Sequence, residues 1–275
     1  MTAATRHETA VERVPILMYH SVAPAPRRQV LDLSVTPEAF ADQMQMLHDA
    51  RCTPVTTRSL ADAWRHGAPL PARPVLITFD DGYESVHRHA LPVLVRHSFP
   101  ATVFVTTGWL RGPHEITGAA PDSMLDWAQV RDIAALGCEI GGHSHSHPQL
   151  DQLSAPRLRF ELERCRGIIG DELGAPPGSF AYPYGYSSRR VRAAVREAGH
   201  DQALAVGNAW ATSHQSPYAL RRVTVRRSTT PEGFGRLLEG RHLALDFAWD
   251  RTLTKGYAVV RRSRRLARKA VAIHA

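Results

Sequence analysis

What most constrains this chain is an alternation running from residue 15 to about residue 240. Short apolar runs bounded by Pro, Gly or Asp are separated by stretches with helical spacing. The runs are PILMY (15–19), TPVT (53–56), PVLITF (74–79), ATVFVT (101–106), CEIGG (138–142), SFAYP (179–183), QALAV (202–206) and RVTV (222–225). Between them, Thr36 followed by Pro37 is an N-cap with proline at the first helical position, and Phe40, Met44 and Leu47 continue one apolar face. Ser154 before Pro156 opens a second helix with Leu158, Leu162, Cys165 and Ile169 in line, and SSRRVRAAVREAG gives a third, closed by Gly199. Strand-then-helix repetition requires parallel strands joined by crossovers, so the fold class is α/β. Seven or eight such units favour a closed barrel over an open sheet.

Composition narrows the setting. A chain of 275 residues buries enough surface to fold without disulfides or a structural metal. Cys52, Cys138 and Cys165 are odd in number and far apart, which reads as core residues in a reducing compartment. The net charge is +8, and residues 251–275 carry eight Arg and Lys with no acid, so the rest of the chain is neutral. That argues against a nucleic-acid-binding body. The reading divides the chain into an N-terminal extension (1–13), a catalytic body (14–250) and a basic C-terminal tail (251–275). Val259, Leu266, Ala270 and Ile273 share one face of that tail, a pattern suited to peripheral contact with an anionic membrane. The run Val14 to Tyr19 is too short to span a bilayer, and Glu8 and Glu12 stand where a signal peptide would be basic. The expected location is the cytoplasm, peripherally at the inner membrane face if the tail binds there.

Polar residues suited to catalysis stand where the strands end. LITFDDG ends in Asp80 and Asp81, CEIGGHSHSH in His143, His145 and His147, SFAYPYG in Tyr182, Pro183 and Tyr184, and PILMYHS in His20. In a parallel barrel these ends share one face. The aperiodic stretch from Gly108 to Ser123 is a long loop that would shape its mouth. A carboxylate with two imidazoles is a metal set with a coordination position left for water. Which imidazoles is open on spacing alone: a helical turn pairs His143 with His147, whereas an extended segment pairs His143 with His145.

On TFDDG (Thr78 to Gly82) and HSHSH (His143 to His147), residues 14–230 resemble the polysaccharide deacetylase family, the carbohydrate esterases of the NodB homology type. The resemblance implies a distorted (β/α) barrel, and hydrolysis of the N-acetyl group of an amino sugar or glycoconjugate. It implies Asp80 as base, and Asp81, His143 and His147 as ligands of one divalent ion, with zinc first and cobalt, nickel or iron as substitutes. It implies an oxyanion amide at Tyr184. Two departures stand out. Ala181 replaces the arginine of the R-x-P-Y motif, for which Arg222 is the candidate substitute. No late Leu-x-x-His motif is present, so His20, on a strand that neighbours the last one in a closed barrel, is the candidate acid. Tyr182, Tyr184 and Trp127 are candidate sugar platforms, and Pro183 is grouped with them as a substrate- or oxyanion-site residue. The competing functions are an amidase or deformylase acting on a non-sugar amide, and a glycan-binding protein without activity.

Overall fold

The computed structural model describes residues 11–248. Ten strands and eight α-helices follow one another as β1 (Arg13–Val14), β2 (Ile16–Tyr19), α1 (Pro37–Asp49), β3 (Thr53–Pro54), α2 (Thr57–His66), β4 (Pro74–Phe79), α3 (Leu91–His97), β5 (Thr102–Val105) and α4 (Trp127–Ala135). Then come β6 (Glu139–Gly142), α5 (Ala155–Leu173), β7 (Ser179–Ala181), α6 (Arg189–Glu197), β8 (Gln202–Val206), β9 (Ala211–Thr212), β10 (Leu220–Thr224), α7 (Pro231–Glu239) and α8 (Leu243–Asp246). The parallel order β2-β10-β8-β7-β6-β5-β4 closes on itself because β2 also pairs with β4, Ile16 opposite Leu76 through Tyr19 opposite Phe79. The result is a seven-stranded (β/α) barrel.

The remaining main-sheet strand, β3, is a foot-plate. Leu76 and Asp80 donate their amides to Pro15 and Tyr19 of the β2 side, whereas the carbonyls of Arg73 and Val75 accept from Thr53 and Val55. Alternate residues face opposite edges of a strand, so β3 lies on the β5 side and occupies the gap below β5. There Glu139 of β6 takes Thr57 Oγ1 (2.7 Å), the Arg58 amide (2.7 Å) and Ser179 Oγ (2.6 Å). A carboxylate at the first turn of α2 satisfies donors that a helix start leaves open. Residues 11–14 dock as well: Trp64 Nε1 donates to the Val11 carbonyl, and β1 pairs with β9.

Period-two alternation explains the two packing layers. Leu17, Tyr19, Ile77, Phe79, Val103 and Val105 face outward and are buried beneath the helices. Ile16, Leu76, Phe104, Ala181, Leu204 and Leu220 fill the lower barrel interior. Gly141 has no side chain because a Cβ would lie 2.4 Å from the Phe104 ring. The interior positions that follow on β4 are Thr78 and then Asp80, so the barrel axis turns from apolar at the foot to charged at the top. The three expected helices begin at Thr36, Ser154 and Ser188, each hydroxyl accepting the amide three residues on. Cys138 and Cys165 are buried and Cys52 is half-buried. No helix among the described residues is long and apolar enough to cross a membrane. The basic tail lies outside the described residues.

Candidate active site

Asp80 sits just past the top of β4, with 2% of its surface exposed, against fully buried Arg222 of β10. The guanidinium donates twice to its carboxylate, Nη1 to Oδ1 at 2.6 Å and Nη2 to Oδ2 at 2.7 Å, and Nη1 also reaches Thr78 Oγ1 at 3.3 Å. Burial pushes the Asp80 carboxyl up, but the Arg222 charge and hydrogen bonds outweigh it and hold the group below its ordinary value. Asp80 thus takes its buried cation from β10, a different strand from the one that carries Ala181.

Asp81 follows in a left-handed conformation (φ 76°) before Gly82 (φ 90°), which swings its carboxylate away from the barrel axis. Oδ1 lies 3.3 Å from His143 Nε2 and 3.3 Å from His147 Nε2. It is buried, and at these separations neither imidazole makes a well-formed hydrogen bond to it. Donor atoms about 3.3 Å apart form the edge of a tetrahedron whose centre is roughly 2.0–2.1 Å from each, the bond length of zinc to nitrogen. These three residues form the metal-ligand cluster found among the described residues. The donor set fits a divalent cation.

The histidine segment is neither helical nor extended. Ser144 (φ 66°) and His147 (φ 55°) are both left-handed, and that double turn brings the outer imidazoles together. His143 Nδ1 donates to the Ala181 carbonyl at 2.8 Å, fixing the tautomer that leaves Nε2 toward Asp81. His147 lies between two rings, Trp109 and Tyr184, each with its centroid 4.7 Å away. His145 turns away, its Nδ1 3.0 Å from Thr107 Oγ1 and its ring against Phe160. The pair open on spacing is thus His143 with His147.

A cavity of about 460 Å³ opens above these groups, lined by His20, Asp80, Asp81, His143, His147, Tyr184, Tyr83, Trp109 and Arg226, with Gln29, Val30, Leu33, Ala119 and Pro121 on one wall. His20 reaches it from the end of β2. Burial lowers the His20 pKa, against the upward pull of Asp81 and Asp80.

Three expectations are corrected. Tyr182 is fully buried, packs on Phe180 and donates its hydroxyl to the Tyr218 carbonyl, so it belongs to the core and not to a sugar platform. Trp127 opens α4 with 3% exposure and does not line the cavity; its indole fills the space over Gly112. Pro183 is buried, and its part is confined to the turn that sets Tyr184 at φ 59°. The aromatic side chains that line the cavity are Tyr83, Trp109 and Tyr184; the sequence reading missed Trp109 although it stands just past a strand end, in VFVTTGW. Tyr83, Arg226 and residues 29–33 were also missed.

The polysaccharide deacetylase model matches residues 67–203. That span runs from before TFDDG to beyond the turn at Tyr184. The chain belongs to the polysaccharide deacetylase family. It is 26% identical over 227 residues to the Bacillus subtilis protein YxkH, whose name assigns it to the polysaccharide deacetylases, covering 82% of this chain and 76% of that one. It is 21% identical over 264 residues to the poly-beta-1,6-N-acetyl-D-glucosamine N-deacetylase of Escherichia coli strain K12, covering 80% of this chain but 39% of that enzyme. The fold matches the Streptococcus pyogenes deacetylase PplD, solved with acetate, at a TM-score of 0.74 and 22% identity over 84% of this chain and 99% of that one.

Proposed function

We propose that this family member is a metal-dependent hydrolase that removes the acetyl group from the nitrogen of an N-acetylated amino sugar or glycoconjugate. The observation that carries the reading is the convergence on one cavity of a three-donor metal set, an arginine-held carboxylate and a third histidine. The naming of the Escherichia coli relative supports the substrate class.

Asp81, His143 and His147 would hold the ion. When bound, a divalent cation there supplies Lewis acidity, polarising the acyl oxygen and acidifying water. Asp80 is the base that accepts a proton from the attacking water. Arg222, which grips both carboxylate oxygens, fixes its orientation and keeps it ionised. The amide of Tyr184, carried on a left-handed turn at the cavity edge, is the oxyanion donor of this reading, a contact worth roughly 2.7–4 kcal/mol in other acyl-transfer sites. His20 delivers a proton to the departing amine and is reprotonated by the one that Asp80 took from water, so the sum of steps is water plus amide giving acetate and a free amine. Trp109 offers the pyranose an apolar face.

The test is acetate release from N-acetylglucosamine oligomers, run beside a panel of cyclic imides and formamides, before chelation and after divalent ions are restored. Turnover of the glycans, lost on chelation and regained with metal, is the expected result. Absence of glycan turnover with activity on an imide would transfer the same site to a non-sugar amide.

A further inference from the structure

Glu161 lies one turn into α5 on its buried face, between Leu158 and Cys165, and its side chain is wholly unexposed. Its Oε2 accepts the backbone amides of His145 at 3.1 Å and Ser146 at 2.8 Å, and Oε1 accepts Ser146 Oγ at 2.6 Å. Arg157, one turn earlier, completes the shell at 3.0 Å. The two amides belong to the residues between the ligands His143 and His147. From the opposite side the same segment is held by Thr107 and Gly108, whose amides donate to the carbonyls of Ser144 (3.3 Å) and His145 (2.7 Å).

His143 is fixed independently by β6 and the Ala181 carbonyl, whereas His147 reaches Asp81 only through the left-handed residues 144 and 147. Such residues cost on the order of 1–3 kcal/mol each and persist only where their surroundings over-determine them. Two adjacent amides, that of buried His145 and that of half-buried Ser146, need acceptors, and one carboxylate satisfies both with charge-assisted bonds.

We propose that Glu161 is the positioning residue of the metal centre, holding the His143–His147 segment in its double turn so that His147 Nε2 meets Asp81. The inference rests on the metal-centre reading above. Glu161 touches neither ligand imidazole and acts through the backbone between them.

The experiment uses the full chain and compares Glu161→Ala and Glu161→Gln with Glu139→Gln, which alters a half-buried carboxylate hydrogen-bonded at the barrel foot. Zinc and cobalt affinities are measured by competition with a chromophoric chelator, and hydrogen exchange of the His145 and Ser146 amides is followed in metal-free protein. Glu161→Ala is expected to weaken metal binding on the order of 10- to 100-fold, with Glu161→Gln between it and wild type. Both amides should exchange faster, while Glu139→Gln lowers the melting temperature without changing metal affinity. If Glu161→Ala does not fold, Glu161→Gln carries the comparison. Folded Glu161 variants that bind metal as tightly as wild type would overturn the assignment, as would an equal loss in Glu139→Gln. A wild-type protein that binds no divalent ion would instead sink the metal-centre reading, and this one with it.

Discussion

Two neighbouring aspartates have different partners, and that decides what each substitution should do. Asp80→Asn removes the base but not a ligand, so turnover should fall about 10²- to 10⁴-fold while metal affinity stays unchanged. An unaltered rate in metal-loaded Asp80→Asn would refute the base assignment. Arg222→Met acts on the same pair from the other side. It leaves a carboxylate uncompensated at a site with 2% exposure, and losing one member of a buried pair costs about 3–5 kcal/mol. Urea unfolding should show that loss, and combining Arg222→Met with Asp80→Asn should recover part of it, since neither member of the pair then leaves an unpaired charge. The sequence announced both aspartates and the histidine run because such residues are unusual at strand ends, but spacing left the histidine pair open and only the family resemblance pointed to the outer two. It was silent on Glu161, whose only signal is an acid on a helix face otherwise filled by Leu158, Leu162 and Cys165. It misassigned Tyr182 because a strand-end aromatic can turn to either side of the barrel wall.

At the scale of elements, the cavity wall is made by segments without regular periodicity, which is why it was largely illegible. The short 3₁₀ helix Arg28–Leu33 places Gln29, Val30 and Leu33 there, and Val30 packs with Tyr83 and Met124 against Trp109. The Arg27 amide donates to Asp122 Oδ2 at 3.0 Å, tying this helix to the loop that runs from Gly108 to Ser123. The loop was expected to shape the mouth, and it does so through Trp109, Ala119 and Pro121. If Trp109 is the sugar platform, Trp109→Ala should raise KM roughly fivefold, equivalent to about 1 kcal/mol of ring contact. Its contact with His147 gives the control: Trp109→Phe keeps a ring against the imidazole and should recover most of the loss. A KM for N-acetylglucosamine oligomers unmoved by Trp109→Ala would remove the platform. Asp122→Ala, which frees the wall from the loop, should raise KM with little effect on kcat, since neither residue approaches the carboxylates or the metal set.

For the whole molecule, the alternation of runs gave the seven-stranded barrel and the shared catalytic face. The closure by β2 against β4 and the plugging of the foot by β3 depend on pairings between distant residues that carry no local pattern. The barrel wall also buries a titratable group outside the proposed catalytic set, which sets how stability should vary with pH. His200, just before β8, is enclosed by Phe180 and by Gly142. Burial first, and then the charge of Arg166, push its pKa down to about 3, with the Pro177 carbonyl pulling the other way. In the unfolded chain the same imidazole titrates near 6.5, so between the two values the unfolded state binds the extra proton. Stability from this residue is complete above about pH 6.5 and is lost as pH falls toward 3, at a slope approaching about 1.4 kcal/mol per pH unit. His200→Gln removes the titration but not the polarity. Urea unfolding of both proteins across pH 4–7 should give curves that diverge, the wild type losing stability more steeply toward acid. Other groups, including the carboxylates of the site, titrate alike in the two proteins and cancel in the difference. A difference that stays constant over that range would mean that His200 is hydrated or paired in the fold, and that acid sensitivity arises elsewhere in the barrel.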